Sequence, residues 1–462
     1  MKLKKKYFIK NPKILIANPP WNENGKTGIR AGSRWPYMVE KLSPGDTIPY
    51  PFFPCYATSL LKKNGYDALF EDSIAQKDTI EIFFEKLRKI DPDIFFIETS
   101  TSSFNSDIQI LKKITEINPE IILITGGTHA SVFPDEILKN FPFIDFIISG
   151  EYEETLLSLI SAISKNPEEI KIISGIGFID YKEDSIILNP NSKPVDINSL
   201  PYPARNRQTI LQYNEMFCKF SPNVSLLSSR GCPYHCNFCL WPQVFYKNNL
   251  YRTRNVKSVA DELEYLKSNY NFKEYYFDDD SINISKNHIN DLCKEISGRK
   301  LNIHWACMGN AGNFDIDTVE LMAASGCEAI KLGVESGADE ILLTLKNKIC
   351  REELIRKINY FKKFNIRTHL TFSIGHANET EKTLRETLDF IDRVNPESLQ
   401  VSFLTPFPGT DLYNNLSDEE RKSVSHNGME LKKSFSKIDG KVLVDYFDKI
   451  LFKANELRKK NG

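Results

Sequence analysis

Three cysteines crowd into eight positions in the run Gly231-Cys232-Pro233-Tyr234-His235-Cys236-Asn237-Phe238-Cys239, while the other six of the nine are scattered singly. Spacings of four and three residues let one short loop wrap three thiolates around a small inorganic cluster. A four-iron cubane held by Cys232, Cys236 and Cys239 keeps one iron open, and an open position is what separates a reactive metal centre from a structural one. The same thiols with His235 or a distant cysteine as fourth ligand would make a structural zinc site, and the spacing leaves both alternatives standing. Either way, an odd cysteine count with one tight group argues for a metal or redox site over a disulfide framework.

The elements that must position this loop are legible around it. It follows directly on an apolar run at 224–228, the first of a series continued at 274–277, 303–308, 329–333, 369–374 and 399–404. Helical patterns such as 256–268, 318–324 and 352–364 separate these runs. Six strand–helix units predict a partial (β/α)6 barrel of the TIM type over 221–414, with its chemistry at the strand ends. Upstream, strand-like runs at 14–17, 68–70, 94–98, 121–125 and 146–149 alternate with helical patterns at 79–90 and 107–117. That alternation predicts an α/β, doubly wound, Rossmann-like domain over 1–188, whose ligands gather at the carboxyl ends of the strands. A stretch without clear periodicity predicts a linker over 189–220, and residues 415–462 read as a charged helical segment.

The loop, with an aromatic residue before its last cysteine, resembles that of the radical S-adenosylmethionine (SAM) superfamily. Three later strand ends resemble it as well, in order and at suitable distances. They are Phe277-Asp278-Asp279-Asp280, Gly333-Val334-Glu335-Ser336-Gly337 and Leu404-Thr405-Pro406-Phe407-Pro408-Gly409-Thr410. The resemblance implies that a 4Fe–4S cluster sits on Cys232, Cys236 and Cys239, that SAM chelates the open iron, and that an electron cleaves it to a 5′-deoxyadenosyl radical. It implies a reducing donor such as a flavodoxin or ferredoxin. It also implies that Phe238, Glu335 and the Asp278, Asp279 and Asp280 turn face SAM, although acidic residues at strand ends also cap helices. Tyr251-Arg252-Thr253-Arg254 matches the family pattern too, and either arginine could pair with a carboxylate or phosphate or form a surface ion pair. One departure is Gly375-His376-Ala377-Asn378-Glu379-Thr380, where His376 replaces an apolar residue near the expected active-site face; it either touches substrate or is simply exposed, and exposure is the expectation.

The order of the two domains resembles the cobalamin-binding radical SAM enzymes. Glu98-Thr99-Ser100-Thr101-Ser102 and Gly126-Gly127-Thr128-His129 match the two loops that embrace cobalamin and its nucleotide tail in that family, and Gly150-Glu151-Tyr152-Glu153 matches a family turn. By that likeness Ser100, Gly126, Gly127 and His129 would bind the corrinoid, the glycines permitting close backbone approach. The Asp-x-His-x-x-Gly motif that gives cobalt a histidine is missing, since the first strand leads into Asn18-Pro19-Pro20-Trp21. Further likeness, over most of residues 13 to 410, is to enzymes that modify lipid head groups by forming cyclopentane polyols. Gly32-Ser33-Arg34-Trp35-Pro36, Ile97-Glu98-Thr99-Ser100-Thr101 and Phe238-Cys239-Leu240-Trp241-Pro242-Gln243 together carry this resemblance to the hopanoid cyclitol-ether and archaeal calditol enzymes, with Trp35 and Trp241 as rings that could cover a polyol or sit in the core. The expected reaction is hydrogen abstraction from a small-molecule or lipid-linked sugar or polyol, followed by ring closure. The alternatives are cobalamin-dependent radical methyl transfer and a zinc-stabilised binding protein without catalysis.

Composition sets the outer limits. Hydrophobic residues at 41% and charged residues at 26% are ordinary for a folded protein, and a net charge of −1 gives no overall field for nucleic acid. The start MKLKKKYFIKNPK has no apolar stretch long enough for a signal peptide, and no later segment approaches the roughly 18 apolar residues of a spanning helix. A cytoplasmic protein is expected, with peripheral membrane association if the substrate is a lipid.

Overall fold

Runs such as Ile14-Leu15-Ile16-Ala17 and Ile94-Phe95-Phe96-Ile97 have no alternating polar positions, so they suit strands covered on both faces. In the computed structural model, which describes residues 7–43, 46–345, 349–426 and 428–461, both runs form central strands of a sheet. The basic residues at 2–6 lie outside the described residues. The chain divides into two units, Met1–Asn214 together with Gln243–Asn248, and Glu215–Pro242 together with Asn249–Gly462. The first unit therefore extends past residue 188, takes in the stretch to Asn214, and reclaims a short strap from beyond the cysteine loop.

In the first unit the strands are β1 (Lys13–Asn18), β2 (Trp21–Glu23), β3 (Lys26–Ala31), β4 (Arg34–Val39), β5 (Asp67–Asp72), β6 (Ile94–Glu98), β7 (Ile122–Gly126), β8 (Phe146–Ile148), β9 (Ile176–Asp180) and β10 (Ser185–Leu188). Seven of them form one sheet in the order β10-β9-β8-β7-β6-β1-β5. Strands β5, β1, β6, β7 and β8 run parallel, and β9 and β10 add antiparallel. Strand order reverses between β1 and β6, the point at which doubly wound sheets open a crevice for ligands. Helix Phe104–Ile117 lays Ile108, Leu111 and Ile114 on a core with Leu15, Phe95, Ile97 and Leu123.

Two antiparallel pieces depart from the expected pattern. Strands β2, β3 and β4 form a separate ribbon, whose first turn is Asn24-Gly25 with φ of 52° and 78°. Asn-Gly is the strongest short-range hairpin signal because both residues tolerate positive φ, yet the ribbon's mixed polarity hides its strands from a periodicity reading. The β9–β10 hairpin closes the sheet edge and was likewise absent from that reading.

In the second unit, β11 (Asn223–Leu226), β14 (Glu274–Phe277), β15 (His304–Asn310), β16 (Cys327–Glu335), β17 (Arg367–Ile374) and β18 (Ser398–Phe403) pair in sequence order, all parallel. Strands β11 and β18 are the outer members of this order, so the six make an open partial barrel. A short pair, β12 (Ser229–Arg230) and β13 (Arg252–Thr253), brackets the cysteine loop. Helices Val256–Asn269, Lys286–Gly298, Ile316–Ala324, Arg351–Lys363 and Glu381–Val394 cover the strands. The final helix, Gly440–Asn461, packs on β18 through Phe447, whose ring stacks on Phe403 at 4.4 Å. Among the described residues of the segment 415–462, only that helix and the short Asp418–Lys422 are helical. No helix among the described residues is long and apolar enough to cross a membrane.

Candidate functional site

The cysteine loop begins at a backbone position only glycine can fill. Gly231 has φ 91°, and a Cβ there would sit 2.0 Å from the Leu250 carbonyl oxygen. From that point the loop is tied to four other strand ends. Gly231 N–H donates to Asp280 Oδ2 at 2.8 Å, beyond β14, and Tyr234 Oη donates to Asn313 Oδ1 at 3.0 Å, beyond β15. His235 Nε2 lies 2.9 Å from Asp411 Oδ2, and Leu412 N–H donates to Asn237 O at 2.8 Å, both beyond β18. Phe238 stands edge-on to His376, beyond β17, with centroids 6.3 Å apart. The loop thus spans the carboxyl-end face of the barrel.

None of the three cysteines of the loop is bridged in a disulfide, and all three are half-buried. Among the described residues no group of three His, Cys, Asp or Glu side chains is gathered closely enough for one metal ion. A cubane asks for less convergence, because each thiolate holds a different iron. The donor set fits such a cluster: three thiols of one loop, unbridged and partly open to solvent. His235, the candidate fourth ligand of a zinc site, is instead engaged with Asp411.

Asp278, Asp279 and Asp280 divide their work. Asp279 is fully buried and accepts from Ser228 N at 2.7 Å, Ser228 Oγ at 2.5 Å and Ser229 Oγ at 2.8 Å. Burial pushes its carboxyl up to about 6, against the pull of those hydrogen bonds. Its oxygens therefore serve the strand that launches the loop. His288 Nε2 is 3.1 Å from Ser228 Oγ, and burial lowers that imidazole to about 4. Asp278 is buried, with its N–H donating to Leu226 O at 3.0 Å. The roles of Ser228 and Ser229 were not read from the sequence, although two adjacent hydroxyls just ahead of Arg230-Gly231 were a readable signal.

Glu335 sits at a bulge in β16 with φ 70°. Ser373 Oγ donates to Glu335 Oε2 at 2.8 Å and lies 3.1 Å from His376 Nε2. His376 is buried, contrary to the expected exposure, because Gly375 N–H and its own N–H both donate to buried Glu379 Oε2 and fold the turn inward. Through His376, Glu335 and Phe238 belong to one cluster. Arg254 is correspondingly unavailable at the surface: its Nη1 donates to Leu227 O at 2.7 Å and to buried Glu262 Oε2 at 2.6 Å.

In the first unit the loops after β6 and β7 lock onto each other. Thr99 N–H donates to Gly126 O at 2.8 Å and His129 N–H to Thr99 O at 3.3 Å. Gly127 has φ 94°, and a Cβ there would meet Thr99 O at 2.5 Å, so the close approach that requires glycine is one of chain to chain. Ser100 Oγ bonds to Ser103 Oγ at 2.9 Å. His129, the one histidine of this unit, packs its ring on Phe104 at 3.9 Å, with Nδ1 3.2 Å from Thr101 Oγ1. Glu98 is buried and accepts from Ser33 Oγ at 2.5 Å and Tyr152 Oη at 2.8 Å, burial raising its pKa. Ser33 thus works inside the fold. Arg30 of β3 reaches Asp107 with two bonds, of 2.7 and 2.6 Å, both side chains fully buried. Hydroxyls of these loops would meet a corrinoid at its periphery, while Gly127 and His129 are engaged within the fold. A cavity of about 670 Å³ along helix Glu153–Lys165 contains none of the residues the sequence singled out.

Residues 226–391 match the Radical SAM superfamily and residues 47–160 match the B12 binding domain. The chain is 28% identical over 371 residues to an uncharacterized methyltransferase of Pyrococcus horikoshii, covering 80% of this chain and 78% of that one. It is 26% identical over 415 residues to an anaerobic magnesium-protoporphyrin IX monomethyl ester cyclase of Rubrivivax gelatinosus, covering 88% and 70%. Among solved structures, the radical S-adenosylmethionine methyltransferase TsrM from Kitasatospora setae, with cobalamin and a 4Fe–4S cluster bound, superposes with a TM-score of 0.68 at 20% identity, over 87% of this chain and 74% of that one. The cobalamin-dependent radical enzyme OxsB, with aqua-cobalamin and S-adenosylmethionine bound, gives 0.66 at 19% identity, over 91% and 57%. At such identities the superpositions speak to fold.

Proposed function

We propose, for a chain that is a radical SAM enzyme carrying a B12-binding domain, that it transfers a methyl group to an unactivated carbon of a small-molecule substrate, with cobalamin as methyl carrier. The observation that carries this reading is the interlocked pair of loops at the carboxyl ends of β6 and β7, in the stretch that matches the B12 domain. Names of relatives support it: one is called a methyltransferase, and another, from Streptomyces wedmorensis at 24% identity, a cytidylyl-2-hydroxyethylphosphonate methyltransferase. When bound, the cluster and SAM supply a hydrogen-abstracting radical and the corrinoid supplies the methyl group. Cys232, Cys236 and Cys239 would hold the cluster, and Glu335, its carboxylate oriented by Ser373, would face SAM with Phe238. Asp278 and Asp280 would join them, while Asp279 fixes the strand end that aims the loop. Ser100, Gly126, Gly127 and His129 would line the corrinoid's periphery. A flavodoxin or ferredoxin would deliver the electron.

The test is anaerobic reconstitution with iron, sulfide, cobalamin, SAM and a low-potential reductant, followed by mass analysis of candidate substrates. A product heavier by one methyl group, with S-adenosylhomocysteine formed beside 5′-deoxyadenosine, is expected. A product of unchanged carbon count refutes methyl transfer. That outcome belongs to a second reading, ring closure on a lipid-linked sugar or polyol head group. Its support is Trp35, 38% exposed on the ribbon with the Arg34 guanidinium 5.3 Å from its ring, and the relative named a cyclase. Deuterium at the ring-closing carbon of such a head group should then appear in 5′-deoxyadenosine.

A further inference from the structure

The strap Gln243–Asn248 brings a lysine into the first unit. Lys247 Nζ donates to Ser149 Oγ at 2.7 Å and to Asn191 Oδ1 at 3.1 Å, both neutral acceptors. Burial alone shifts its ammonium below the usual lysine range, and no carboxylate acts against that shift. A desolvated cation without a counter-anion is unfavourable in a protein interior, and perturbed groups of this kind gather at binding sites. Backbone strain adds to the case: Lys247 takes φ 53°, a left-handed conformation that a non-glycine residue seldom adopts.

Lys247 lines a cavity of about 100 Å³ together with Ser149, Asn191, Ser192 and Lys193. At ~30 Å³ per water this is room for about three waters or one tetrahedral oxyanion. Glu151, the one carboxylate in the lining, accepts from Val195 N at 3.3 Å. Ser149 follows β8 directly, so the cavity lies at the carboxyl end of a parallel strand, where sheets of this type bind ligands.

We propose that Lys247, Lys193, Ser149 and Ser192 form a phosphate-binding site that takes a phosphate monoester or diester group. The site does not depend on the methyl-transfer reading. A corrinoid's nucleotide tail carries a phosphodiester, and a free phosphate or phosphorylated metabolite carries the same chemistry, so the two sources are separated by ligand choice.

The full chain, purified anaerobically, is titrated by calorimetry with inorganic phosphate, with cobalamin and with cobinamide, which lacks the nucleotide tail, using wild type, Lys247→Met and Lys247→Arg. Lys247→Met is expected to weaken phosphate or cobalamin binding by about tenfold or more, the size of a lost charge-assisted hydrogen bond, and Lys247→Arg to retain most of it. Weaker cobalamin with unchanged cobinamide identifies the tail as the source; weaker phosphate with unchanged cobalamin identifies a separate phosphate compound. Because Met keeps the stem and removes an uncompensated charge, the unfolding temperature should hold or rise. Equal affinities for phosphate and cobalamin in wild type and Lys247→Met, or a lowered unfolding temperature with binding unaltered, overturn the proposal.

Discussion

Asp107→Asn is expected to be among the most damaging single-atom exchanges in the first unit. Asp107 and Arg30 are both fully buried, joined by bonds of 2.7 and 2.6 Å, and Ser103 Oγ donates to Asp107 at 2.8 Å. Burial outweighs even the arginine's charge, leaving the Asp107 carboxyl above its ordinary value. The pair is therefore an interaction whose attraction does not fully offset the desolvation of its carboxylate. Removing one partner leaves a guanidinium uncompensated in the interior, which costs about 3–5 kcal/mol. For a unit of this size that corresponds to roughly 6–20 °C in unfolding temperature. Replacing both partners, as in Arg30→Met with Asp107→Leu, should recover most of the loss, because the desolvation cost disappears with the charges. The assay is urea unfolding read by hydrogen exchange at β1, β6 and β7 amides. A loss under about 1 kcal/mol for Asp107→Asn, or a double variant no better than the single, would refute the reasoning.

Cys232→Ala, Cys236→Ala and Cys239→Ala should each abolish iron loading and SAM cleavage, while alanine at each of the other six cysteines leaves iron content unchanged, as measured by iron analysis and visible absorption under anaerobic conditions. Gly127→Ala should destabilise the first unit by several kcal/mol, since it combines φ 94° with a Cβ 2.5 Å from Thr99 O; a thermal scan matching wild type contradicts the packing role. Asp279 has a folded pKa raised from 3.8 to about 6, so it adds stability that is full below about pH 4 and lost as pH rises through about 6, a span of about 3 kcal/mol. Asp279→Asn should flatten the stability profile across that window, and an unchanged slope between pH 4 and 6 would show that burial does not govern this carboxyl.

Buried parallel strands were legible in the sequence because their middles are unbroken apolar runs, as in β1, β6 and β7, and a reading of periodicity detects such runs readily. The ribbon β2–β4 was not, since its strands mix apolar and polar residues without clear alternation and are defined by tight turns between neighbouring strands. In the barrel, the order of strands and the place of the cysteine loop followed from runs of residues. What holds the loop did not. Its ties to Asp280, Asn313, Asp411 and His376 join residues 49 to 176 positions apart or stand across strand ends, and no local pattern encodes them. Glu98 shows the same limit from the other side: a carboxylate in a ligand-loop motif turned out to be satisfied by Ser33 and Tyr152.

The strap Gln243–Asn248 also sets an order of events on the ribosome. Chains emerge at about 5–20 residues per second and domains tend to fold as they appear. Here the first unit lacks its last piece until residue 248 has been made, by which time the whole loop from Cys232 to Cys239 has already been synthesised. Phe245, which packs against Phe53 at 4.5 Å and Tyr152 at 6.3 Å, is the plug that arrives late. A nascent chain stalled before residue 243 would present those rings to chaperones, and a gene split at residue 214 would leave the first fragment without its strap, which the second fragment would carry.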